Sequence, residues 1–394
     1  MAYRNQKDVI SDEKDLTYCS GVGVFLILWT MDGKNDAKNC VRKEKTMSLT
    51  CRIEKKPFGK VKSKRDAYLY EVHGSNGMGF AVSDFGATLV SLWIPGPEEK
   101  ETDVLLGYDC AAGYESNGGH LGATVGRSAN RIAKGKYELN GQIYQLAQNN
   151  GENNLHSGPD YYGKRFWETE ELKEGIRFTL HSPDGDQGHP GNAKITVEYT
   201  LTEEQGVRLA YHGACDQDTV MNLTNHSYFN LEGPEGKRIL PHRLQICSHR
   251  FTATDEHLIP TGELVAVEET PMDFTVMKEI GRDIEADYPA LKLAGGYDHN
   301  YVLDNQGSFA LAAVYEASGR RMEVYTDLPG MQIYTGNSLE TEGKNHARYG
   351  RFSGICFETQ YFPDSVNHPS FPSPILKKGE SFQSVTEYRF SWQA

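Results

Sequence analysis

This chain of 394 residues is poor in the features that mark many catalytic and binding classes. Its seven cysteines (Cys19, Cys40, Cys51, Cys110, Cys215, Cys247 and Cys356) are scattered, odd in number and never spaced Cys-x-x-Cys. That pattern suits the reduced thiols of a cytoplasmic protein better than a disulfide frame or a zinc ribbon. His242, Cys247 and His249 lie close together in sequence but lack a fourth ligand at a recognisable spacing, so no metal is expected there. There is no surplus of positive charge. With 41 Lys and Arg against 54 Asp and Glu the net charge is −13, which argues against nucleic acid or an anionic membrane as the main partner. Long hydrophobic runs are also missing. The best stretch, "GVGVFLILW" at 21–29, is far too short to cross a bilayer, and it follows the acidic "SDEKDLTY", where a signal peptide carries positive charge. The cytoplasm is the expected compartment, and the glycosylation-like matches at Asn222 and Asn225 are then accidental. No phosphate loop, nucleophile elbow or dinucleotide fingerprint is present, since Gly21-Val22-Gly23 has Leu26 where a third glycine belongs.

What the sequence has is strand. "AYLYEVHG" (67–74) and "GFAVSDFGATLVSLWIPG" (79–96) carry β-branched and aromatic residues between glycine and proline punctuation. In "KITVEYTL", Ile195, Val197, Tyr199 and Leu201 alternate with polar residues, giving one buried face and one wet face. "FALAAVYEASGRRMEVYTDLPGMQIYTG" (309–336) repeats the design, and 40 glycines and 16 prolines suit many tight turns. Helical patterning is scarce; its best stretch, 279–293, is interrupted by Pro289. Residues 1–62 are lysine-rich without a core period and are expected to form a poorly ordered extension, with Met47 a candidate effective start. Residues 63–394 are expected to form a single domain, since no linker divides residues 67–394 and no fixed repeat appears. The expected fold is all-β: a single large antiparallel β-sandwich with few short helices.

Four polar segments interrupt the strands. "NLTNHSYFNLEG" (222–233) places His226 between Asn225 and Ser227; the ring there is a structural residue, a metal ligand or an acid–base group. In "VGRSANRIAKGKYELNGQIYQLAQNNGENNLHSG" (125–158), Asn130 and Arg131 follow a glycine-bounded turn and His156 ends a run of asparagines. Arg131 offers a planar fork of donors, although a surface ion pair is its plainer reading. In "AGGYDHNYVL", Asp298 follows a Gly-Gly turn, where an aspartate often only closes the turn. In "GICFETQYFPDSVNH", an apolar strand runs into Glu358, which either emerges into solvent or sits in a cleft with its acidity tuned by its neighbours. Taken together the set suits binding a neutral polyol and moving protons on it.

Seven stretches share an order and spacing that resemble the aldose 1-epimerase (galactose mutarotase) family: "GRSANRIAKGKYELNGQIYQL", "NNGENNLHSG", "SPDGDQGHPGN", "NLTNHSYFNLEG", "TDEHLIPTGE", "GGYDHNYVL" and "ETQYFPDSVNH". The resemblance covers roughly residues 67–394. It implies a galactose mutarotase-like sandwich with a sugar cleft, no cofactor and no metal, and an isomerase that interconverts the α and β anomers of free hexoses such as galactose and glucose. It makes His226 the general acid and Glu358 the general base. Asn130, Arg131, His156, Asp298 and Gln332 fall on positions associated with holding the sugar. Two departures stand out: Ser157, where a glycine is common, and His189, where a tyrosine often precedes the proline. Neither touches the acid or the base.

The chemistry that follows is removal of a proton from the C1 hydroxyl and delivery of another to the ring oxygen, then rotation about C1–C2 and reclosure. A carboxylate and an imidazolium suffice for it. Three other readings separate on chemistry. A hexose-6-phosphate epimerase needs extra basic residues around the cleft. A non-catalytic sugar-binding module has no need of both His226 and Glu358. A glycoside hydrolase expects two catalytic carboxylates. The expected partner is a monosaccharide alone, bound by a monomer or homodimer.

Overall fold

The alternation in "KITVEYTL" carries through to the structure. In the strand Ala193–Thr202, Ile195, Val197, Tyr199 and Leu201 are buried, and Lys194, Thr196, Glu198 and Thr200 are not. The computed structural model describes residues 48–96, 101–116, 118–235 and 237–392. That strand lies inside a nine-stranded antiparallel sheet, running from Glu168–Glu171 through Gly175–Ser182, Ala193–Thr202, Gly206–Cys215, Ser381–Trp392, Arg320–Thr326, Ala310–Ala317 and Arg243–Ile246 to Lys278–Glu279. Six further strands form a second sheet in the order Tyr228–Phe229, Ile355–Gln360, Gly330–Tyr334, Asp298–Val302, Arg250–Thr254 and Pro260–Ala266. A five-stranded sheet spans residues 51–103. Side chains from all three sheets, among them Phe80, Leu92, Val197, Leu209, Phe357 and Ile333, join one buried apolar cluster. The expected antiparallel sandwich is the observed architecture.

The six-stranded sheet positions the chemistry because its two faces differ in polarity. Register pairs Glu358 with Gln332 and Gln332 with Asn300, and pairs Cys356 with Tyr334 and Tyr334 with Asp298. Directly paired residues project from the same face, and the side-chain period is two. Cys356, Glu358, Gln332, Tyr334, Asp298 and Asn300 therefore share one face. The opposite face carries Ile355, Phe357, Met331, Ile333 and Tyr301, all in the apolar core. Strand sequences such as "ICFETQ" and "GMQIY" thus alternate between core and site rather than between core and water.

Two expectations change. The extension assigned to residues 1–62 ends earlier, because Cys51–Lys60 is a strand paired along Asp66–Gly74, with Leu49, Phe58 and Val61 buried. Its lysines hid it. They lie on the outer edge of the five-stranded sheet, where charge discourages edge-to-edge pairing and a proline is tolerated. Lys55 packs its ammonium 3.9 Å from the Tyr68 ring centroid, and Lys56 pairs with Glu71 at 2.7 Å. Residues 1–47, including "GVGVFLILW", lie outside the described residues. The helical stretch at 279–293 reduces to a short 3-10 turn, Ile280–Arg282, and the helix Pro289–Ala294. Pro289 begins that helix rather than interrupting it, and Gly295 at φ +67° closes it. Among the described residues no helix is long and apolar enough to cross a membrane.

A chain shortened to begin at Met47 is expected to fold and to keep its turnover. Beginning instead at residue 63 removes the edge strand and the buried Leu49, Phe58 and Val61 together. That chain should lose several degrees of thermal midpoint or fail to express in soluble form, as thermal unfolding of the two would show.

Candidate active site

A cleft of about 420 Å³ opens over the polar face of the six-stranded sheet. It is lined by Asn130, Arg131, His156, His226, Asp298 and Glu358, together with His120, Asn150, Tyr228, Tyr334 and Arg351. Six of the seven residues singled out in the sequence thus meet in one place. The seventh, Gln332, lies just beneath, where its amide donates to Asp298 Oδ1 at 2.6 Å.

His226 is held by its backbone. Its N–H donates to the Ala123 carbonyl at 2.9 Å, and its own carbonyl accepts from the Gly122 N–H at 3.0 Å. These bonds and the short pairing of Thr224–Asn225 with Thr124–Val125 dock the segment 120–125 against it. Its ring Nδ1 lies 3.5 Å from the Cys356 thiol, and Nε2 lies 3.5 Å from Glu358 Oε1. Both side chains are buried, and Glu358 Oε2 has no hydrogen-bond partner among the described residues. The carboxylate does not emerge into solvent at the strand's end, because it sits mid-strand in Ile355–Gln360, flanked by Gly330–Tyr334 and Tyr228–Phe229.

Burial pushes the Glu358 carboxyl well above its usual range; Asp298 adds to this and Arg131 opposes it. Burial likewise holds the His226 imidazole well below its ordinary value, with the neighbouring His120 adding to the effect. Without ligand the pair therefore favours carboxylic acid and neutral imidazole, not the carboxylate and imidazolium expected from residue types alone. The reason is that the low-dielectric sheet face penalises both charges at once.

His156 is fixed differently. Its ring Nδ1 accepts the Asn130 backbone N–H at 3.1 Å, while the His156 backbone N–H donates to the Asn130 carbonyl at 2.9 Å. An acceptor at Nδ1 leaves the proton of the neutral ring on Nε2, which then serves as a donor. Arg131 is not a surface ion pair. It bonds Asn150 through Nε at 3.2 Å and faces Asp298 Oδ2 at 3.9 Å. Asn130, His156, His120 and Leu258 all hold left-handed backbone, with φ between +52° and +60°. Such strained non-glycine positions cluster at functional sites.

The two sequence departures find structural uses. Ser157 adopts φ +67°, and its hydroxyl accepts the Ser128 N–H at 2.7 Å and donates to the Ser128 carbonyl at 3.1 Å. His189 bonds the Tyr137 hydroxyl at 2.9 Å. The segment "SPDGDQGHPGN" does not line the cleft. It encloses the fully buried Arg127, which donates to the Pro190 carbonyl at 2.7 Å and to Ser182 Oγ at 2.6 Å. Sequence reasoning missed His120 and the packing of Cys356 on His226. A histidine after Gly118-Gly119 was the available signal for the first.

The family model described as aldose 1-epimerase matches residues 68–389. The chain belongs to the aldose 1-epimerase family. It is 41% identical over 314 residues to the galactose mutarotase of Bos taurus, covering 79% of this chain and 90% of that protein. It is 39% identical over 330 residues to the aldose 1-epimerase of Haemophilus influenzae, covering 82% and 95%. Among solved structures, the galactose 1-epimerase of Lactobacillus acidophilus matches with a TM-score of 0.77 at 27% identity, covering 88% of this chain and all of that one.

His156, His226 and Glu358 bring potential ligand atoms within 4.8 Å of one another, the closest approach to a metal centre among the described residues. The set fits a cation poorly. The Asn130 amide occupies His156 Nδ1, so His156 Nε2 carries a proton and lacks the lone pair a ligand must donate. His242 and His249 do not assemble a site either: His242 contacts Tyr315 and Glu232, while His249 is exposed beside Asp304. Dialysis against a strong chelator is expected to leave turnover unchanged; inactivation reversed by added zinc would contradict this.

Proposed function

We propose that this family member interconverts the α and β anomers of free hexoses, galactose and glucose among them, with Glu358 as general base and His226 as general acid. The observation that carries this reading is the 3.5 Å approach of His226 Nε2 to Glu358 Oε1 at the buried end of a polar cleft. Two proton-transfer groups that close can serve the same O–C–O unit of a sugar. Glu358 takes the C1 hydroxyl proton as His226 protonates the ring oxygen, and the C1–O5 bond opens to the aldehyde. Glu358 is then a carboxylic acid and His226 a neutral imidazole, the protonation state that burial favours. Rotation about C1–C2 turns the other carbonyl face to the C5 hydroxyl. Reclosure returns both protons.

Holding the sugar falls to groups with fixed donors and acceptors. His156 Nε2 and the Arg131 guanidinium supply donors. Asp298, tethered by Gln332 and facing Arg131, supplies an acceptor, and Asn130 sets His156 from behind. A free sugar fits better than a phosphorylated one. Arg351, the second arginine at the cleft, donates to the Gly295 carbonyl at 2.6 Å and lies 4.3 Å from the Phe352 ring centroid. A hydrolytic reading is weaker, since Asp298, the other carboxylate in the cleft, is engaged by Gln332 and Arg131. Action as a monomer or as a homodimer is equally compatible with this reading. A reducing, cytoplasmic setting is also part of it, supported by the free thiols of Cys51, Cys110, Cys215, Cys247 and Cys356.

Polarimetry of freshly dissolved α-galactose tests the activity directly. Glu358→Gln keeps shape and hydrogen bonding but cannot take a proton, so kcat should fall by roughly 10²–10⁴-fold while sugar still binds. His226→Asn should act similarly. Arg131→Ala and Asp298→Ala should act mainly on KM. Near wild-type turnover in Glu358→Gln would refute the assignment of the base. Glucose 6-phosphate should be turned over more slowly than glucose; the reverse would favour a phosphosugar epimerase.

A further inference from the structure

His120 lines the cleft, yet the acid–base scheme leaves it without a task. Its ring lies 4.8 Å from that of His156 and 5.6 Å from that of His226, and it meets Tyr161 edge-on at 4.8 Å. The placement is enforced. The His120 carbonyl accepts the Ala123 N–H at 3.0 Å, and Gly122 and Ala123 are bonded in both directions to the His226 backbone. The residue is held at φ +58°, a conformation a third glycine after Gly118 and Gly119 would adopt without strain. An imidazole kept there at that cost, among residues that line a sugar cleft, calls for a polar use.

Its ring nitrogens narrow that use. Nδ1 is buried with no hydrogen-bond partner among the described residues, which leaves Nε2 as the nitrogen able to meet a ligand. Burial holds the ring down to about 4, with the Lys164 ammonium adding to the effect, so it is neutral at physiological pH. A neutral imidazole beside two other histidines adds no charge to the site. It offers one hydrogen bond in a fixed direction. His226 and Glu358 already serve the two reacting oxygens, so a third ring beside them faces the rest of the sugar.

We propose that His120 is a further substrate-binding residue, whose Nε2 hydrogen-bonds one non-reacting hydroxyl of the hexose and so helps decide which sugars are accepted. The inference rests on the mutarotase reading above, and the test separates the two. His120→Phe keeps a ring edge-on to Tyr161 and removes both nitrogens. Wild type and variant would be compared by polarimetry on galactose and on its 2-, 3-, 4- and 6-deoxy analogues, measuring kcat and KM for each.

The expected result is that His120→Phe lowers kcat/KM for galactose by roughly tenfold, mainly through KM, the scale of one neutral hydrogen bond. For one deoxy sugar, the one lacking the contacted hydroxyl, variant and wild type should perform alike. His120→Gln, which retains a donor, should recover part of the loss, and His120→Leu serves in place of His120→Phe if that variant does not fold. A uniform loss on all five sugars, or no loss on any, would overturn the assignment to His120 while leaving the enzyme's activity intact. A wild-type protein inactive on every anomer would instead overturn the mutarotase reading itself.

Discussion

Everything at this cleft depends on one constraint: a carboxyl and an imidazole, 3.5 Å apart, are buried on the polar face of a sheet whose other face is core. Neither group can be charged cheaply in that setting. Burial raises the affinity of Glu358 for a proton and lowers that of His226. The pair is therefore built to carry one proton between them. Doubly protonated it bears an uncompensated positive charge, and fully deprotonated an uncompensated negative one. The ion pair and the neutral pair differ only in where that single proton sits. In the proposed mechanism they are also the states before and after ring opening. A site that favours the neutral pair without ligand lowers the energy of the open-chain stage relative to the cyclic one.

The rest of the fold keeps that pair from collapsing or drifting. Register across three strands fixes Glu358, Gln332 and Asp298 on one face. The second half of the site comes from loops, and loops need anchors. Arg127, three residues before Asn130, is clamped by carbonyls and Ser182 from the segment 182–191. Ser128 is tied to Ser157, and Asn130 to His156. Segments far apart in sequence are thereby joined into one rigid wall facing the sheet. The Cys356 thiol against His226 Nδ1 is a weak partner that can donate or accept. It orients the ring without stabilising its charged form as a carboxylate would.

Much of this was legible in the sequence, for physical reasons. Strands such as Ala193–Thr202 have one wet face, so their period of two is visible. The cleft residues stood out because asparagine, histidine, arginine and aspartate gather next to glycine-rich turns. Cys51–Lys60 was obscured because an edge strand covered in lysine has little apolar alternation to read. The fate of Glu358 could not be read locally, since mid-strand burial on a polar face depends on partners such as Gln332, His226 and Arg131 that other strands and loops bring to it. His120 escaped for a similar reason. Its meaning comes from the two histidines beside it, at 156 and 226, and not from the residues that flank it.

The pH dependence of kcat/KM is the sharpest test of the shared proton, because that parameter reports the free enzyme. Two independent groups in their ordinary ranges would place the alkaline limb at the loss of the imidazolium proton, about pH 6.5. A buried pair sharing one proton resists both gaining a second and losing the first. Its acid limb should fall below the ordinary carboxylate value, since burial holds His226 down to about 3, and its alkaline limb should follow the raised Glu358 carboxyl instead of an ordinary imidazolium. A narrow bell whose alkaline midpoint lies near 6.5 would contradict it.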